Sequence, residues 1–255
     1  MPGPSNLLED SNSVIIFFKD LTDIIKVQKL KSDFVANVSH ELRTPLQSIK
    51  LGLETINNGH AAKDLESQKK ILPVVLQQTS RMENIVNDLL SLSRIELQEH
   101  IRPNEKVNLN DIISHSIELH QEILKKNNIE CQFERESKNV KINGDRNRLI
   151  EVFNNLIDNG IKYSEKNKKI TITTKSGHKN FLVTIKDQGI GISKENIPQV
   201  TERFFRVDPA KSKEVGGTGL GLAIVKHIVN QHRAEMTISS EINKGTEISL
   251  NFPTI

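Results

Sequence analysis

Apolar residues recur at steps of three and four over much of the first hundred positions. Following Ile24, Val27, Leu30, Phe34 and Val38 lead on to Leu42, Leu46, Ile49, Leu53 and Ile56. That spacing places them on one face of a long helix, and Asn57-Asn58-Gly59 supplies its end. A second run, Ile71, Val75, Gln78, Met82, Ile85, Leu89 and Leu92, keeps heptad steps with one polar interruption. Pro73 is read as lying near the start of this second helix, as a kink or a first-turn residue. Two long helices with a short connection form an antiparallel hairpin whose apolar stripes need cover. Pairing two hairpins into a four-helix bundle supplies it, so the pattern predicts a homodimer. Cover by another part of the same chain is the alternative.

The helical pattern breaks around Leu97 to Lys106, where Pro103 sits. Beyond it, residues 111–126 and 145–163 read as helices and 129–135 as a strand. Residues 169–175 and 181–187 alternate as strands, and a further helix runs from about Gly219 to Gln231. Strands at 235–240 and 246–252 are joined by the turn Asn243-Lys244-Gly245. The fold class is therefore multidomain: an all-α antiparallel hairpin forming a dimeric four-helix bundle, then an α+β two-layer sandwich. The short apolar run at residues 14–20 reads as a lone strand closing a preceding domain. The domain reading is 1–23 as that remnant and linker, 24–97 as the hairpin, 98–106 as a linker and 107–255 as the sandwich.

Composition narrows the partners. A formal net charge of +3 with no long basic block does not point to nucleic acid. The single cysteine, Cys131, reads as a small strand residue and rules out a disulfide framework within one chain. No stretch approaches the roughly 20 apolar residues of a membrane span, and Met1–Asn6 lacks the parts of a signal peptide. This predicts a cytoplasmic fragment without membrane contact, whose parent could be an inner-membrane sensor. His115 and His120, like His227 and His232, are five apart, which is not the spacing of a helical zinc pair.

His40 stands apart from the other histidines. At about 100° per residue it points away from the stripe carrying Val38 and Leu42. Glu41 adjoins it, Thr44 lies one turn on, and Pro45 deprives the helix of a hydrogen bond there. An exposed imidazole can be a solvated surface group. It is also a good nucleophile near neutral pH, and a neighbouring carboxylate can orient it and take its proton.

Three clusters in the second domain carry chemistry. Asn154-Asn-Leu-Ile-Asp-Asn-Gly-Ile-Lys-Tyr-Ser164 puts Asn155 and Asn159 on one helix face. That face is either a solvated surface or an oxygen donor set for Mg²⁺, with Lys162 within reach of phosphate. Asp187-Gln-Gly189-Ile-Gly191 follows a strand and is either a turn or a carboxylate site for an exocyclic amine. Gly216-Gly-Thr-Gly219-Leu-Gly221-Leu precedes a helix and exposes backbone N–H groups suited to phosphate. It is neither a Walker loop nor a dinucleotide fingerprint.

Phe34-Val-Ala-Asn-Val-Ser-His40-Glu-Leu-Arg-Thr-Pro-Leu46 resembles the phosphoacceptor box of histidine kinases. The order of the Asn helix, the Asp-Gly loop, Glu202-Arg-Phe-Phe-Arg206 and the glycine-rich helix start resembles their Bergerat-type ATP-binding domain. The resemblance spans about residues 24 to 252. It implies Mg-ATP as the bound pair and His40 as acceptor of the γ-phosphoryl group, with Glu41 assisting. Thr44 would position water in the reverse, phosphatase reaction. It further implies Asn159 as the chief Mg²⁺ ligand with Asn155 nearby, and Asp187 as the adenine-reading carboxylate, flanked by Gly189 and Gly191. Lys162, Tyr163 and Arg206 would surround the nucleotide. Val207 to Val215 would form a lid, and Gly217, Thr218, Gly219, Leu220 and Gly221 would close on the phosphates. The phosphoryl group would pass to an aspartate of a separate response regulator receiver domain. Asp20-Leu21-Thr22 resembles the ending of PAS-type sensory domains. Where the family commonly carries two glycines after the last helix, this chain has Arg233-Ala234. The alternatives are another ATPase of the same fold clan (gyrase, heat-shock chaperone or MutL type) and a dimeric nucleotide-binding scaffold.

Overall fold

The computed structural model describes residues 20–58, 64–138, 140–165, 167–208, 212 and 216–255. The strand expected at 14–20 lies outside them except for Asp20. So do the connection at 59–63 and most of the expected lid.

The chain divides into two compact units, residues 1–39 and 40–255. Of the first, the described part is chiefly the opening of helix α1 (Thr22–Asn58), which starts after Asp20 accepts the Thr22 N–H. In the second unit α1 continues to Asn58, and α2 (Leu65–Leu97) starts at the N-cap Asp64, whose carboxylate accepts the Glu66 N–H. Such caps satisfy the orphan amides of a first turn. The two helices run antiparallel. Gly52 lies so close to α2 that a Cβ there would meet Val75 at 2.6 Å, and Glu41 pairs with Arg81 at 3.3 Å. Pro45 is buried within α1, which continues as a helix through it. Pro73 is not near the start of α2 but eight residues inside it. The helix begins earlier than its apolar run because the polar segment from Leu65 to Lys70 is recruited by the Asp64 cap.

Beyond α2 the chain forms a short two-stranded antiparallel sheet from β1 (Lys106–Asn108) and β3 (Lys141–Asn143). Three-residue strands carry no usable periodicity, and neither was expected. The helix read at 111–126 is two helices, α3 (Leu109–Leu119) and α4 (Gln121–Lys126), separated at His120. The His120 ring nitrogen Nδ1 bonds to the Ser116 carbonyl at 2.8 Å, one turn back. The larger sheet has the order β2-β4-β5-β7-β6, from β2 (Glu130–Glu134), β4 (Lys169–Ser176), β5 (Asn180–Lys186), β7 (Gly245–Pro253) and β6 (Glu235–Glu241). Only the β2–β4 pair is parallel.

Helices α5 (Arg146–Tyr163) and α6 (Gly221–Gln231) lie against this sheet. Asp145 caps α5, accepting the N–H groups of Asn147 and Arg148. Leu149, Val152, Phe153, Leu156, Ile157 and Ile161 fill the layer beneath it at helical spacing. The strands bury residues at period two, such as Ile170, Ile172, Val183 and Leu250. Just past the end of the last helix, Arg233 takes the left-handed conformation at φ 56°. The Ala234 N–H then donates to the Val229 carbonyl at 3.0 Å. The turn that glycine commonly makes is thus made by an arginine, with some backbone strain.

Candidate nucleotide and phosphoacceptor site

The apolar face of α5 is turned to the sheet, so Asn155, Asn159 and Lys162 occupy the opposite face at i, i+4 and i+7. They line a cavity of about 310 Å³, together with Tyr163, Asp187, Gly191, Arg206, Gly217, Thr218, Gly219 and Gly221. This size suits a small organic ligand. Of the residues expected around a nucleotide, only Gly189 and Leu220 do not line it.

Asp187 sits just past β5. Its Oδ1 accepts N–H groups from Gly189 at 2.8 Å and Thr246 at 3.0 Å. Those bonds fix the carboxylate in one orientation and leave Oδ2 without a partner among the described residues. Burial nevertheless pushes its carboxyl above the usual aspartate range, against those two bonds. Gly191, at φ 70°, approaches the Glu241 carbonyl too closely for any side chain.

Asn155 is tethered, its amide donating to the Glu151 carbonyl at 2.9 Å. The Asn159 side chain has no hydrogen-bond partner among the described residues, which leaves a neutral oxygen donor at the cavity. Lys162 pairs with Asp158 at 3.0 Å, and Asp158 also faces His120 at 3.6 Å. Burial works against the Asp158 charge, but His120 and Lys162 outweigh it and lower its carboxyl. The Asp158 contact in turn raises His120. The Tyr163 hydroxyl meets Ser212 Oγ at 3.3 Å. Of the expected lid, only Val207, Asp208 and Ser212 are among the described residues.

The glycine-rich segment and the Phe204 turn fix each other. Phe204 adopts φ 63° and donates its N–H to the Gly219 carbonyl at 2.8 Å. A Cβ on Gly219, itself at φ 76°, would lie 2.9 Å from the Phe204 backbone. This locks Arg206 beside the loop, where its guanidinium donates to the Thr218 carbonyl at 3.0 Å.

Arg206 also reaches the phosphoacceptor box. It bonds both carboxylate oxygens of Glu41, at 3.2 and 2.9 Å, and Arg81 adds a third contact at 3.3 Å. All three side chains are largely buried. His40 remains exposed. Thr44 is half-buried, and its hydroxyl donates back to the His40 carbonyl at 3.3 Å, as such residues often do at a bend.

The sequence did not single out the contribution of α2. Asn84, Asn87 and Asp88 line the cavity, and Thr218 donates to Asp88 at 2.7 Å. Farther along α2, Ser91 bonds Glu151 and Glu96 pairs with Arg203. The polar triplet at i, i+3 and i+4 on α2 was the available signal, but only docking against the second domain gives it meaning.

Comparison with known proteins adds the following. The family described as His Kinase A (phospho-acceptor) domain matches residues 30–98. The family described as Histidine kinase-, DNA gyrase B-, and HSP90-like ATPase matches residues 144–255. The sensor-like histidine kinase SenX3 of Mycobacterium tuberculosis is 33% identical over 255 residues, 99% of this chain and 62% of that protein. The sensor protein kinase WalK of Staphylococcus aureus is 36% identical over 243 residues, 94% of this chain and 57% of that protein. The chain thus spans about three-fifths of these relatives' length. The solved histidine kinase AdeS of Acinetobacter baumannii superposes with a TM-score of 0.66 at 26% identity, covering 84% of this chain and 97% of that one.

Proposed function

Because this chain belongs to the sensor histidine kinases of two-component systems, we propose that it binds Mg-ATP in the cavity and phosphorylates its own His40. The observation that carries this reading is the bond between Arg206, at the cavity, and Glu41, the neighbour of His40. It ties the acceptor box to the nucleotide site.

Asp187 is the adenine-reading group, its free Oδ2 accepting from the exocyclic amine. Asn159, with Asn155 beside it, would hold Mg²⁺, which would screen the charge on the phosphates. The fit rests on the unpartnered amide of Asn159. Lys162, Arg206 and the amides from Gly217 to Gly221 face the phosphates. In the reaction a neutral imidazole nitrogen of His40 forms the N–P bond as the γ-phosphorus–oxygen bond to ADP breaks. The other ring nitrogen gives its proton to Glu41.

The phosphoryl group then passes to an aspartate of a receiver domain. Thr44 serves the reverse hydrolysis when its hydroxyl leaves the His40 carbonyl. Residues 24–97 form the phosphotransfer domain, 98–106 the linker and 107–255 the catalytic domain. Leu46, Leu51, Leu72, Leu76 and Leu90 stay exposed on the hairpin, which supports burial against a second copy in a four-helix bundle. No described helix is long and apolar enough to cross a membrane.

Incubation with ATP and Mg²⁺ should leave acid-labile, base-stable phosphate on the chain. His40→Gln should lose it while binding ATP as before. Phosphate retained on the variant would overturn the assignment of His40.

A further inference from the structure

Thr218 lies in the glycine-rich segment that opens onto α6. Its hydroxyl donates to Asp88 Oδ2 at 2.7 Å and accepts the Leu220 N–H at 3.2 Å. That amide belongs to the start of α6, where unsatisfied N–H groups and the helix dipole favour an anion. The anion found there is the carboxylate of Asp88, delivered by α2 and bound through the Thr218 hydroxyl.

A second carboxylate of the hairpin behaves alike. Glu41 occupies the guanidinium of Arg206. The hydroxyl and the guanidinium best placed to grip phosphate are therefore both held by acids of the phosphotransfer helices. Asp88 lines the same cavity as Lys162 and Asp158. Its burial, with Glu151 and Asp158 nearby, raises its carboxyl despite the Thr218 bond and Lys162. The position is thus costly for a charge and gains little from the neighbours that surround it.

We propose that Asp88 is a residue of the nucleotide site and acts there as an internal competitor for the triphosphate. The inference rests on reading the cavity as an ATP site. With α2 docked, Asp88 engages Thr218, and the β- and γ-phosphates must displace it to reach that hydroxyl and the start of α6. A triphosphate and a carboxylate in one small cavity also repel each other. By linkage, whatever affinity the docked hairpin removes from ATP, bound ATP removes from docking. Displacement therefore loosens α2, and the same phosphates draw Arg206 away from Glu41. Nucleotide binding would free the acid beside His40 at the moment it is needed.

The test is calorimetric titration of the full chain with ATP and, separately, with adenosine, which has no phosphates. Asp88→Asn keeps an acceptor for Thr218 and removes the charge. The expected result is ATP binding tighter by about fivefold or more in the variant, with adenosine affinity unchanged. Unchanged adenosine binding also shows that the variant's cavity is folded. ATP affinity equal to or weaker than that of the unaltered chain would overturn the inference. So would an equal gain for adenosine, since phosphate would then not be what competes. An unaltered chain that binds neither compound would overturn the reading of the cavity itself.

Discussion

Arg206 holds Glu41 by two hydrogen bonds of 3.2 and 2.9 Å, from the edge of the nucleotide cavity to the residue after His40. Gripped by one arginine, with Arg81 beside it, the carboxylate is held in a fixed orientation by charge-assisted hydrogen bonds. The same pair holds the glycine-rich loop near the acceptor helix through the Thr218 carbonyl. One ion pair thus constrains both reacting partners of the proposed transfer.

Glu41→Gln should slow phosphorylation of His40 by about 10² to 10⁴-fold, the usual worth of a positioned base. ATP affinity should not fall, because the glutamine leaves Arg206 freer for phosphate. Initial rates of acid-labile phosphate formation, set beside calorimetric affinities, separate the two effects. A variant that phosphorylates at the original rate would remove Glu41 from the chemistry.

Asp187→Asn tests the adenine assignment through both binding and stability. The asparagine oxygen can keep the bonds from Gly189 and Thr246, which turns its NH₂ toward the adenine amine. Two donors then face each other, and ATP affinity should fall by about 1–3 kcal/mol. The effect on stability has the opposite sign. The Asp187 carboxyl is raised in the folded chain by burial, so its contribution is full below the ordinary value of 3.8 and is lost as pH rises through the folded value. The asparagine variant does not titrate. It should therefore melt higher than the unaltered chain at neutral pH, with the gap closing toward acid. A lower melting temperature at pH 7 would mean that Asp187 supports the fold.

Asn159→Ala should weaken Mg-ATP binding and leave the melting temperature of the free chain within a few degrees. Its amide makes no bond among the described residues, and the helix face that packs is the one bearing Leu156 and Ile157. Titration with ATP at several Mg²⁺ concentrations checks this. The loss of affinity should be largest when Mg²⁺ is abundant and small when it is chelated.

Legibility followed the range of the interactions. The heptads of α1 and α2, the 3.6-residue period of α5 and the alternation in β4, β5 and β7 are local, and each was visible as spacing. The Asn face of α5 followed because Asn155 and Asn159 stand four residues apart on one helix. His120, where one helix becomes two, was not visible, since nothing in the periodicity of Ile113, Ile117 and Leu124 breaks there. The β1–β3 pair joins Val107 to Ile142, a contact that strands of three residues do not announce. The place of Asp88 in the cavity was hidden for a different reason. It depends on how α2 meets Thr218, 130 residues later, and a polar residue on a helix says nothing of what will dock against it.

Cys131 should be a slow thiol. It lies in β2 opposite Ile170, and burial pushes it up from 9.0 to about 11. At pH 8 the thiolate, which is the reactive form, should be about a hundredfold scarcer than in an exposed cysteine. Alkylation by iodoacetamide, followed by mass spectrometry, should lag glutathione by at least that factor in the native chain and match it in urea. Rapid labelling of the folded chain would show that β2 opens readily at the sheet edge.

His232 should make the second domain acid-sensitive. Its ring is buried behind α6, with Phe252 edge-on at 6.5 Å. Nε2 accepts the Asp145 N–H at 3.0 Å, at the cap of α5, and Nδ1 lies 2.7 Å from the Ile228 carbonyl. An amide donor on Nε2 requires a lone pair there, so the proton sits on Nδ1 and donates to Ile228. Protonation would place a second donor against the Asp145 N–H and charge a buried ring. Burial accordingly lowers the imidazole below its ordinary 6.5, against the Ile228 bond and the Asp145 charge. A histidine lowered on folding contributes stability that is present above 6.5 and drains away as pH falls toward the folded value. Melting temperatures of the unaltered chain should therefore drop on going from pH 7.5 to 5.5. His232→Gln should start lower, by about 1–3 kcal/mol for the lost bonds, and show a shallower slope over the same range. The other histidines are common to both proteins, so the difference between the two curves isolates this one. Parallel curves would mean that folding does not change proton binding at this ring and that the joint between α6 and α5 takes no part in the acid response.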